Sequence, residues 1–440
     1  LDAKVMENAV FANPASALQG TLAGVRVQST SGQPGAAPRI IVRGGTSINN
    51  PNGASPLYVI DGVQRTDLNN IAADDIESVQ VLKDAASTSI YGALGSNGVV
   101  LIKTKSGKAG KLRVNYRMNA GISSVGKMYD LADARGYLTL SRLGMLSREG
   151  QPDNLFRLGL ADAYGTGNDL TNNTAHTTQY LTAENEYKLN EGWESMPDPV
   201  DPSRTLIFKD TDWQDVMFRT GIINDHHLSV SGGSETARMN ASVGYLTQEG
   251  TAITSDFNRF TANLNGNLKV NDDLEVFASM VYARTEANEI NNFSNTFARA
   301  MTLPPTTKFR FEDGSLAPGV RRSEGNPAYL LNLEQNNSII DNLTLLGGLH
   351  YKILPGLTFD PQVSLFTTTL NRAYFMPSFL DGPSTLNTSR QSIAWNNSTR
   401  NTQADAVFNY KMLNSSKHNF GSTFGFSYVK RTNNTLRAEG

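Results

Sequence analysis

Cysteine is absent from the 440 residues, so the chain can form neither disulfide bonds nor thiolate metal sites. An excess of one charge is also absent, since the formal net charge of -2 gives no indication of bulk binding to nucleic acid or to an acidic surface. No apolar run approaches the roughly 18 residues of a membrane-spanning helix. The adjacent His226 and His227 would point to opposite faces of a strand, and no HExxH motif occurs, so we expect no metal site and no cofactor.

The chain has instead a repeated alternation of apolar and polar residues with a period of two. In residues 237–249, one face carries Met239, Ala241, Val243 and Tyr245, and the other carries Arg238, Asn240, Ser242 and Gly244. Residues 257–270 repeat the pattern, with Phe260, Ala262, Leu264, Leu268 and Val270 on the apolar face. An apolar outer face and a polar inner face are typical of a transmembrane antiparallel β-barrel, whose wall separates lipid from an aqueous lumen.

About nine such strands are predicted, near residues 112–122, 226–232, 237–249, 257–270, 274–285, 339–353, 357–370, 398–412 and 418–430. Their connections alternate in length. The short ones lie near 233–236, 271–273, 354–356 and 414–417, and the others near 123–225, 250–256, 286–338 and 371–397. Bacterial barrels place short turns in the periplasm and long loops outside, and this order obeys that rule if the first strand runs outward.

The predicted number of strands is odd, whereas a single-chain bacterial barrel usually has an even number. The last strand would then have an open edge in lipid, where each unpaired backbone group costs several kcal/mol. We therefore expect this chain to be the N-terminal part of a longer protein that supplies the remaining strands.

Residues 1 to about 108 have a different pattern, that of a small α/β unit. Asn13 and Pro14 are the N-cap and first residue of a helix predicted over 15–22, and Asp84 caps a second helix over 85–90. Strands are predicted near 25–27, 39–43, 57–60, 79–82 and 99–105, and residues 106–111 form a linker. We therefore predict two domains, the α/β unit at 1–108 and the N-terminal part of a barrel at 109–440.

Several segments of the α/β unit resemble the plug of a TonB-dependent transporter. They are, in order, 17–25 (ALQGTLAGV), 41–44 (IVRG), 56–63 (PLYVIDGV), 75–85 (DIESVQVLKDA), 91–92 (YG) and 95–104 (GSNGVVLIKT). The forms at 31–35 (SGQPG), 82–87 (LKDAAS) and 97–98 (NG) are similar to the SusC/RagA branch found in Bacteroidetes. In the barrel region, 212–215 (DWQD), 218–221 (FRTG), 228–233 (LSVSGG) and 245–250 (YLTQEG) resemble the same branch.

This resemblance implies an α/β plug domain inside a transmembrane antiparallel β-barrel of 22 strands in the bacterial outer membrane. It implies a SusD-like surface lipoprotein as a lid, and TonB, with ExbB and ExbD in the inner membrane, as the source of energy. The implied cargo is an oligosaccharide, as for SusC, or alternatively an oligopeptide, as for RagA. No TonB box is recognisable, and no covalent chemistry on the cargo is implied, so the chain is not expected to be an enzyme.

Two polar loops of the plug, at 29–37 and 64–73, are expected to face outward if the strand order follows the family. Ligand sites need a few well-placed polar groups in a concavity. The substrate-binding candidates in these loops are Gln33, Gln64, Arg65, Asp67 and Asn69. The alternative is that they are solvated loop residues. Four other residues of the plug motifs, Arg43, Gly44, Asp61 and Gly62, are expected to be structural, with Asp61 and Gly62 shaping a turn.

Aromatic residues of the predicted outer loops are a second set of candidates, because the C–H faces of sugar rings stack on aromatic rings. Tyr374, Phe375 and Trp395 are the substrate-binding candidates, with Phe379 nearby and Trp213 as a weaker one. The alternative is an aromatic girdle at the membrane interface. A passive pore or a surface adhesin on the same barrel is the rival class of function, and the ordered plug motifs argue against it.

Overall fold

The computed structural model describes residues 13–21, 24–29, 31–42, 55–65, 68, 71–146, 152–291, 293–411 and 420–440. In these ranges the chain forms a small mixed sheet near its N-terminus and a long antiparallel sheet that follows it. None of the helices in these ranges is long and apolar enough to cross a membrane.

The N-terminal region, here called the plug, is built around a four-stranded sheet in the order β4-β3-β6-β5. Its elements are a 3-10 helix (Pro14–Leu18), β1 (Val25–Gln28), β2 (Arg39–Val42), β3 (Leu57–Ile60), β4 (Val63–Arg65), a 3-10 helix (Ala73–Asp75), β5 (Ile76–Leu82), α1 (Ala85–Thr88), a 3-10 helix (Ser89–Gly95) and β6 (Val99–Thr104). All four residues of β3 are buried, as expected for a strand that is covered on both faces. Its partner β6 is parallel to it, and Ile60 and Ile102 join one apolar core.

The rest of the chain alternates between long strands and the shorter elements of their connections. In chain order these are β7 (Gly110–Ser123), α2 (Ala134–Leu146), β8 (Gln179–Tyr180), β9 (Glu194–Pro197), β10 (Thr205–Phe208), α3 (Trp213–Met217), β11 (Gly221–Gly233), β12 (Ala237–Glu249), β13 (Asp256–Lys269), β14 (Leu274–Asn288), α4 (Phe293–Thr302), α5 (Pro327–Leu333), β15 (Gln335–Leu354), β16 (Leu357–Met376), β17 (Phe379–Leu380), β18 (Leu386–Asn387), β19 (Gln391–Lys411) and β20 (Gly421–Glu439). Short 3-10 turns lie at Pro152–Gly159, Glu186–Glu191 and Arg322–Glu324.

Nine of these strands form one antiparallel sheet, here called the wall, in the order β20-β19-β16-β15-β14-β13-β12-β11-β7. This number is the one that the period-two pattern predicted for the described part of the chain. The alternation also assigns the faces: Met239, Val243 and Tyr245 of β12 are exposed on the outward face, whereas Asn240 and Ser242 are buried against the plug. The wall therefore has an apolar outer face and a polar inner face, as predicted for a barrel wall.

Several wall strands are longer than predicted at the end away from the short turns. β16 runs to Met376 rather than to residue 370, and β19 starts at Gln391 rather than at 398. At these strand ends, 371–376 (NRAYFM) and 391–397 (QSIAWNN), each face mixes apolar and polar residues, so the alternation fades although the backbone pairing continues. The third long connection is therefore only 377–390.

The first outer loop, residues 124–220, and the second, residues 289–334, are folded structures with apolar cores. Leu138, Leu206 and Phe208 form a core within the first loop. Trp213 and Met217 of the first loop pack on Ala300 and Leu303 of the second. Beneath the first core, Arg142 forms an ion pair of 2.6 Å with Asp198, and both side chains are almost fully buried. The two loops therefore form one packed assembly at the outer end of the wall.

The plug differs from its prediction in three places. The first helix is a short 3-10 turn that ends at Leu18, although Asn13 caps it as expected by accepting a hydrogen bond from Ala15 N at 2.8 Å. Residues 64 and 65, expected to open a loop, belong to β4 (Val63–Arg65) instead. The last plug strand ends at Thr104 and the first wall strand begins at Gly110, so the domain boundary after residue 108 lies in the connection and stays a prediction.

Candidate functional site between the plug and the wall

The turn between β3 and β4 is a two-residue hairpin loop made by Asp61 and Gly62. Their φ values are 49° and 86°, and two successive positive values are the mark of a type I′ turn, for which Asp-Gly is a favoured pair. The Asp61 carboxylate also accepts hydrogen bonds from Thr104 N at 2.9 Å and Thr104 Oγ1 at 2.7 Å. The geometry thus gives both residues a structural part in the plug.

This turn is connected to the wall through the last plug strand. Asn265 Nδ2, on the inner face of β13, donates to Thr104 Oγ1 at 3.1 Å and to the carbonyl oxygen of Lys105 at 3.0 Å. A chain of hydrogen bonds therefore runs from Asp61 through Thr104 to the wall. A displacement of the plug strand would have to break it.

A second connection is made by Asp74 and Asp75, at the end of the 3-10 turn that precedes β5. Both side chains are buried against the wall. Asp74 pairs with Arg117 of β7. Asp75 Oδ1 accepts a hydrogen bond from Ser242 Oγ at 2.5 Å and another from His227 Nε2 at 2.9 Å. The two carboxylates are thus held by three successive wall strands, β7, β11 and β12.

Arg259 of β13 extends this cluster. It is only 3% exposed and lies close enough to Asp74, Asp75 and Asp225 to interact with them electrostatically. Buried charges are tolerated when they are paired and hydrogen-bonded, and removing one partner of such a pair costs about 3–5 kcal/mol. We call Asp74, Asp75, Arg117, His227, Ser242 and Arg259 the plug–wall cluster.

The plug–wall cluster was not predicted, although the sequence carries a signal for it. The alternation places Arg117, His227 and Arg259 on the inner faces of their strands. Inner faces that are covered by a plug bury their charges, so opposite charges are needed on the plug, and Asp74 and Asp75 supply them. From the sequence alone, His227 is assigned no role, because the adjacent His226 points to the opposite face of the strand and the pair has poor chelating geometry.

The plug candidates for substrate binding lie in different places. Gln33 is in the 31–37 loop, whose Gly35 N donates to Gln248 Oε1 at 3.3 Å near the outer end of β12. Gln64 and Arg65 lie on β4; Arg65 is 2% exposed and its guanidinium lies over the Phe366 ring, 5.6 Å from the centroid. The remaining candidates Asp67 and Asn69, and the structural residues Arg43 and Gly44, lie outside the described residues. The substrate-binding roles stay predictions.

The aromatic candidates are separated by the faces of β16 and β19. Tyr374 and Trp395 lie on the inner face and line a pocket of about 250 Å³ near the outer rim, whereas Phe375 points to the outward face. The other polar side chains around this pocket are Asn291, Asn336, Arg372, Gln391 and Arg437. Arg372 donates to Asn336 Oδ1 at 3.1 Å and pairs with Glu289 at 3.1 Å. We call this site the rim pocket.

Neither of the other two aromatic residues is free to meet a ligand. Trp213 is 3% exposed, packs in the outer-loop core and donates from Nε1 to the carbonyl oxygen of Pro304 at 3.0 Å. Phe379 is buried beside Tyr374. The outward face of the wall carries other aromatic residues, such as Tyr245, Phe260 and Tyr282. Tyr374 and Trp395 lie on the inner face, which does not fit the alternative of a membrane girdle for these two residues.

The rim pocket and the plug surface are linked by the inner face of the wall. Phe366, beneath Arg65, and Tyr374 lie on the same side of β16, separated by about 26 Å at 3.3 Å per residue. Between them, the inner face presents the hydroxyl groups of Thr368 and Thr399 and the side-chain amide of Asn397, which lies opposite Leu370. The inner face therefore provides a polar surface from the rim to the plug.

Comparison with known proteins agrees with this architecture. Residues 1–99 match the TonB-dependent Receptor Plug Domain family. The TonB-dependent receptor P39 of Formosa agariphila is 28% identical over 435 residues, which cover 97% of this chain and 36% of that protein. The TonB-dependent receptor SusC of Bacteroides thetaiotaomicron is 32% identical over 270 residues, 59% of this chain and 21% of SusC. The chain thus spans only about a third of the length of the TonB-dependent receptor P39.

Among solved structures, the RagAB peptide importer in its closed-closed state superposes on the whole chain with a TM-score of 0.77. The identity is 24%, and the superposition covers 48% of that protein's chain, so the likeness concerns the fold. The fold and the resemblance read from the plug motifs are confirmed. Residues 1–99 match the plug domain of TonB-dependent receptors, and the chain as a whole is SusC/RagA-like.

Proposed function

We propose that the chain is the plug-bearing part of an outer-membrane importer that takes up oligosaccharides in a TonB-dependent manner. The observation that carries this proposal is the plug–wall cluster, in which Asp74 and Asp75 hold the plug against three wall strands. A plug held by buried charges blocks passive flow, and an external source of energy is then required to displace it. The apolar outward face of the wall would contact the outer-membrane lipid.

The rim pocket supports an oligosaccharide as the cargo. Trp395 offers an exposed aromatic ring for the C–H face of a sugar beside the largely buried Tyr374, and the amide and guanidinium groups around them suit its hydroxyls. The inner face below continues with Thr and Asn side chains, which bind hydroxyl groups equally well. The second candidate is an oligopeptide, favoured by the fold likeness to the RagAB peptide importer.

The proposed partners follow from the same arrangement. A SusD-like surface lipoprotein would close over the outer rim and hold the cargo between itself and the rim pocket. TonB, with ExbB and ExbD in the inner membrane, would pull on the periplasmic side of the plug. No nucleic acid and no covalent step on the cargo enter this function.

Deletion of residues 1–108 from the full-length transporter tests the class of function. We expect the deletion to convert a closed transporter into an open pore, measured as conductance in planar lipid bilayers, and to abolish energy-dependent uptake. An adhesin would keep its surface binding without any gain in conductance. Such a result would contradict the proposal.

Replacement of Trp395 tests the cargo class, with Phe375→Ala on the opposite face of the wall as the matched control. Stacking of a ring on an aromatic side chain contributes on the order of 1–2 kcal/mol, so Trp395→Ala should weaken oligosaccharide uptake about 5- to 30-fold. Phe375→Ala should leave uptake unchanged. Uptake of peptides but not of oligosaccharides would favour the second candidate.

A further inference from the structure

A larger cavity lies between the first and second outer loops, away from the rim pocket. Its volume is about 760 Å³, within the range of 300–1,000 Å³ that small-molecule sites occupy. None of its lining residues belongs to the plug or to a wall strand. Tyr137, Asp162, Asn173 and His176 line it from the first loop, and Arg299 from the second. We call it the loop cavity.

The floor of the loop cavity is fixed by backbone pairing between the two loops. His176 and Thr307 form an antiparallel bridge, Lys308 N donates to Ala175 O at 2.9 Å, and Thr177 N donates to Thr306 O at 2.9 Å. These bonds tie two backbone segments, 175–177 of the first loop and 306–308 of the second, to each other. This side of the cavity is therefore built by the protein itself.

A buried lysine adds to this rigidity. Lys308 is 2% exposed, and its ammonium group donates to Asp169 O at 2.9 Å, to Thr171 O at 2.8 Å and to Thr174 Oγ1 at 3.2 Å. All three N–H donors of the ammonium group are thus used within one turn of the first loop. This contact holds Thr174, itself a lining residue, against the second loop.

The lining groups suit a ligand that is rich in hydroxyls and carries no net charge. Burial lowers the pKa of His176 to about 4, so its imidazole is neutral at neutral pH. The carboxylates of Asp162 and Glu324 and the guanidinium of Arg299 line the cavity, and Glu324 is paired with Arg321, so the cavity has no strong excess of either sign. A planar carboxylate or guanidinium group can form hydrogen bonds with two adjacent hydroxyls of a sugar. Tyr137 and Leu303 offer apolar surface for the C–H groups of the same sugar.

We propose that the loop cavity is a second binding site for the cargo, selective for a neutral oligosaccharide. The inference rests on the proposed function, because it assigns the same cargo class to a site on the outer surface. Cargo held there would be concentrated near the rim pocket before it enters the barrel.

The test is calorimetric titration of the full-length transporter complex with neutral tetrasaccharides of glucose, galactose, mannose and xylose, and with tetraalanine as the peptide probe. We expect two saccharide sites per chain. Arg299→Met should weaken one of them at least tenfold, and Asn173→Trp, which fills the cavity from its exposed edge, should abolish the same one. Arg310→Met, at an exposed arginine of the second loop that is outside the lining, is the matched control and should change neither.

Trp395→Ala separates this inference from the proposed function. A single saccharide site that is lost in Trp395→Ala and unchanged in both cavity variants would overturn the loop cavity as a site and leave oligosaccharide import standing. Binding of tetraalanine alone, or of no member of the panel, would overturn both.

Discussion

Asp75 is the residue of the plug–wall cluster whose replacement can be worked out most directly. Its carboxylate accepts two hydrogen bonds from the wall, from Ser242 Oγ and His227 Nε2. Asp75→Asn keeps the shape and one acceptor oxygen but removes the charge. A hydrogen bond to a charged group contributes about 1.5–3 kcal/mol and a neutral one about 0.5–1.5, so two bonds should together lose about 2 kcal/mol.

An introduced cysteine can report this loss, since these 440 residues contain no other cysteine. Asn263 is 3% exposed on the inner face of β13, and its side-chain amide has no hydrogen-bond partner among the described residues, so Asn263→Cys is the least costly position. A thiol reagent reaches it only when the plug leaves the wall. If opening is fast relative to labelling, a loss of about 2 kcal/mol should raise the labelling rate about 30-fold.

The control in the same cysteine background is Asp272→Asn. Asp272 is 93% exposed in a wall turn and pairs with Lys269, so its replacement should alter the labelling rate by less than about fivefold. Equal labelling rates for Asp75→Asn and the unmodified cysteine variant would refute the idea that the cluster holds the plug.

Three further predictions concern stability. Arg142→Met should destabilise the first outer loop by about 3–5 kcal/mol, measured as faster hydrogen exchange in α2, because it removes one partner of a buried ion pair. The control Arg135→Met removes an exposed ion pair and should cost under about 1 kcal/mol. Equal effects of the two replacements would contradict a role for burial. The pKa of His176 is about 4 in the folded chain and 6.5 in the unfolded one, so its contribution of about 3 kcal/mol to stability is fully present above pH 6.5 and is lost as the pH falls towards 4. In His176→Asn, the free energy of outer-loop opening, measured by hydrogen exchange, should lose this pH dependence. The same pH dependence in both proteins would contradict the prediction. Gly62→Ala should destabilise the plug by about 1–2 kcal/mol because φ is 86°, while Gly266→Ala, where an added Cβ meets open space, should be nearly neutral in thermal unfolding.

The sequence predicted most of the wall because its strands repeat a simple alternation. The range 237–249 was predicted with the bounds that β12 has in the structure. The outer ends of β16 and β19 were not predicted, because apolar residues occur there on both faces, as Tyr374 and Phe375 do on β16, and the alternation that identifies a strand is lost. Backbone pairing with neighbouring strands continues there, and pairing between distant segments is not visible in local sequence.

The functional residues were predicted only in part, for a similar reason. Asp61 and Gly62 could be assigned to a turn because the signal is local. The partners of Asp74 and Asp75 lie on three strands far along the chain, so only the packed structure brings them together. Tyr374 and Phe375 are neighbours in sequence, and only the known face of β16 shows that Tyr374 lines the rim pocket.

The most direct test of oligosaccharide import is mass spectrometry of the full-length transporter, extracted with its partners from outer membranes in mild detergent. The account predicts a retained oligosaccharide in the unmodified complex, and its loss in Trp395→Ala. A retained peptide, or a saccharide that is held equally well by Trp395→Ala, would contradict it.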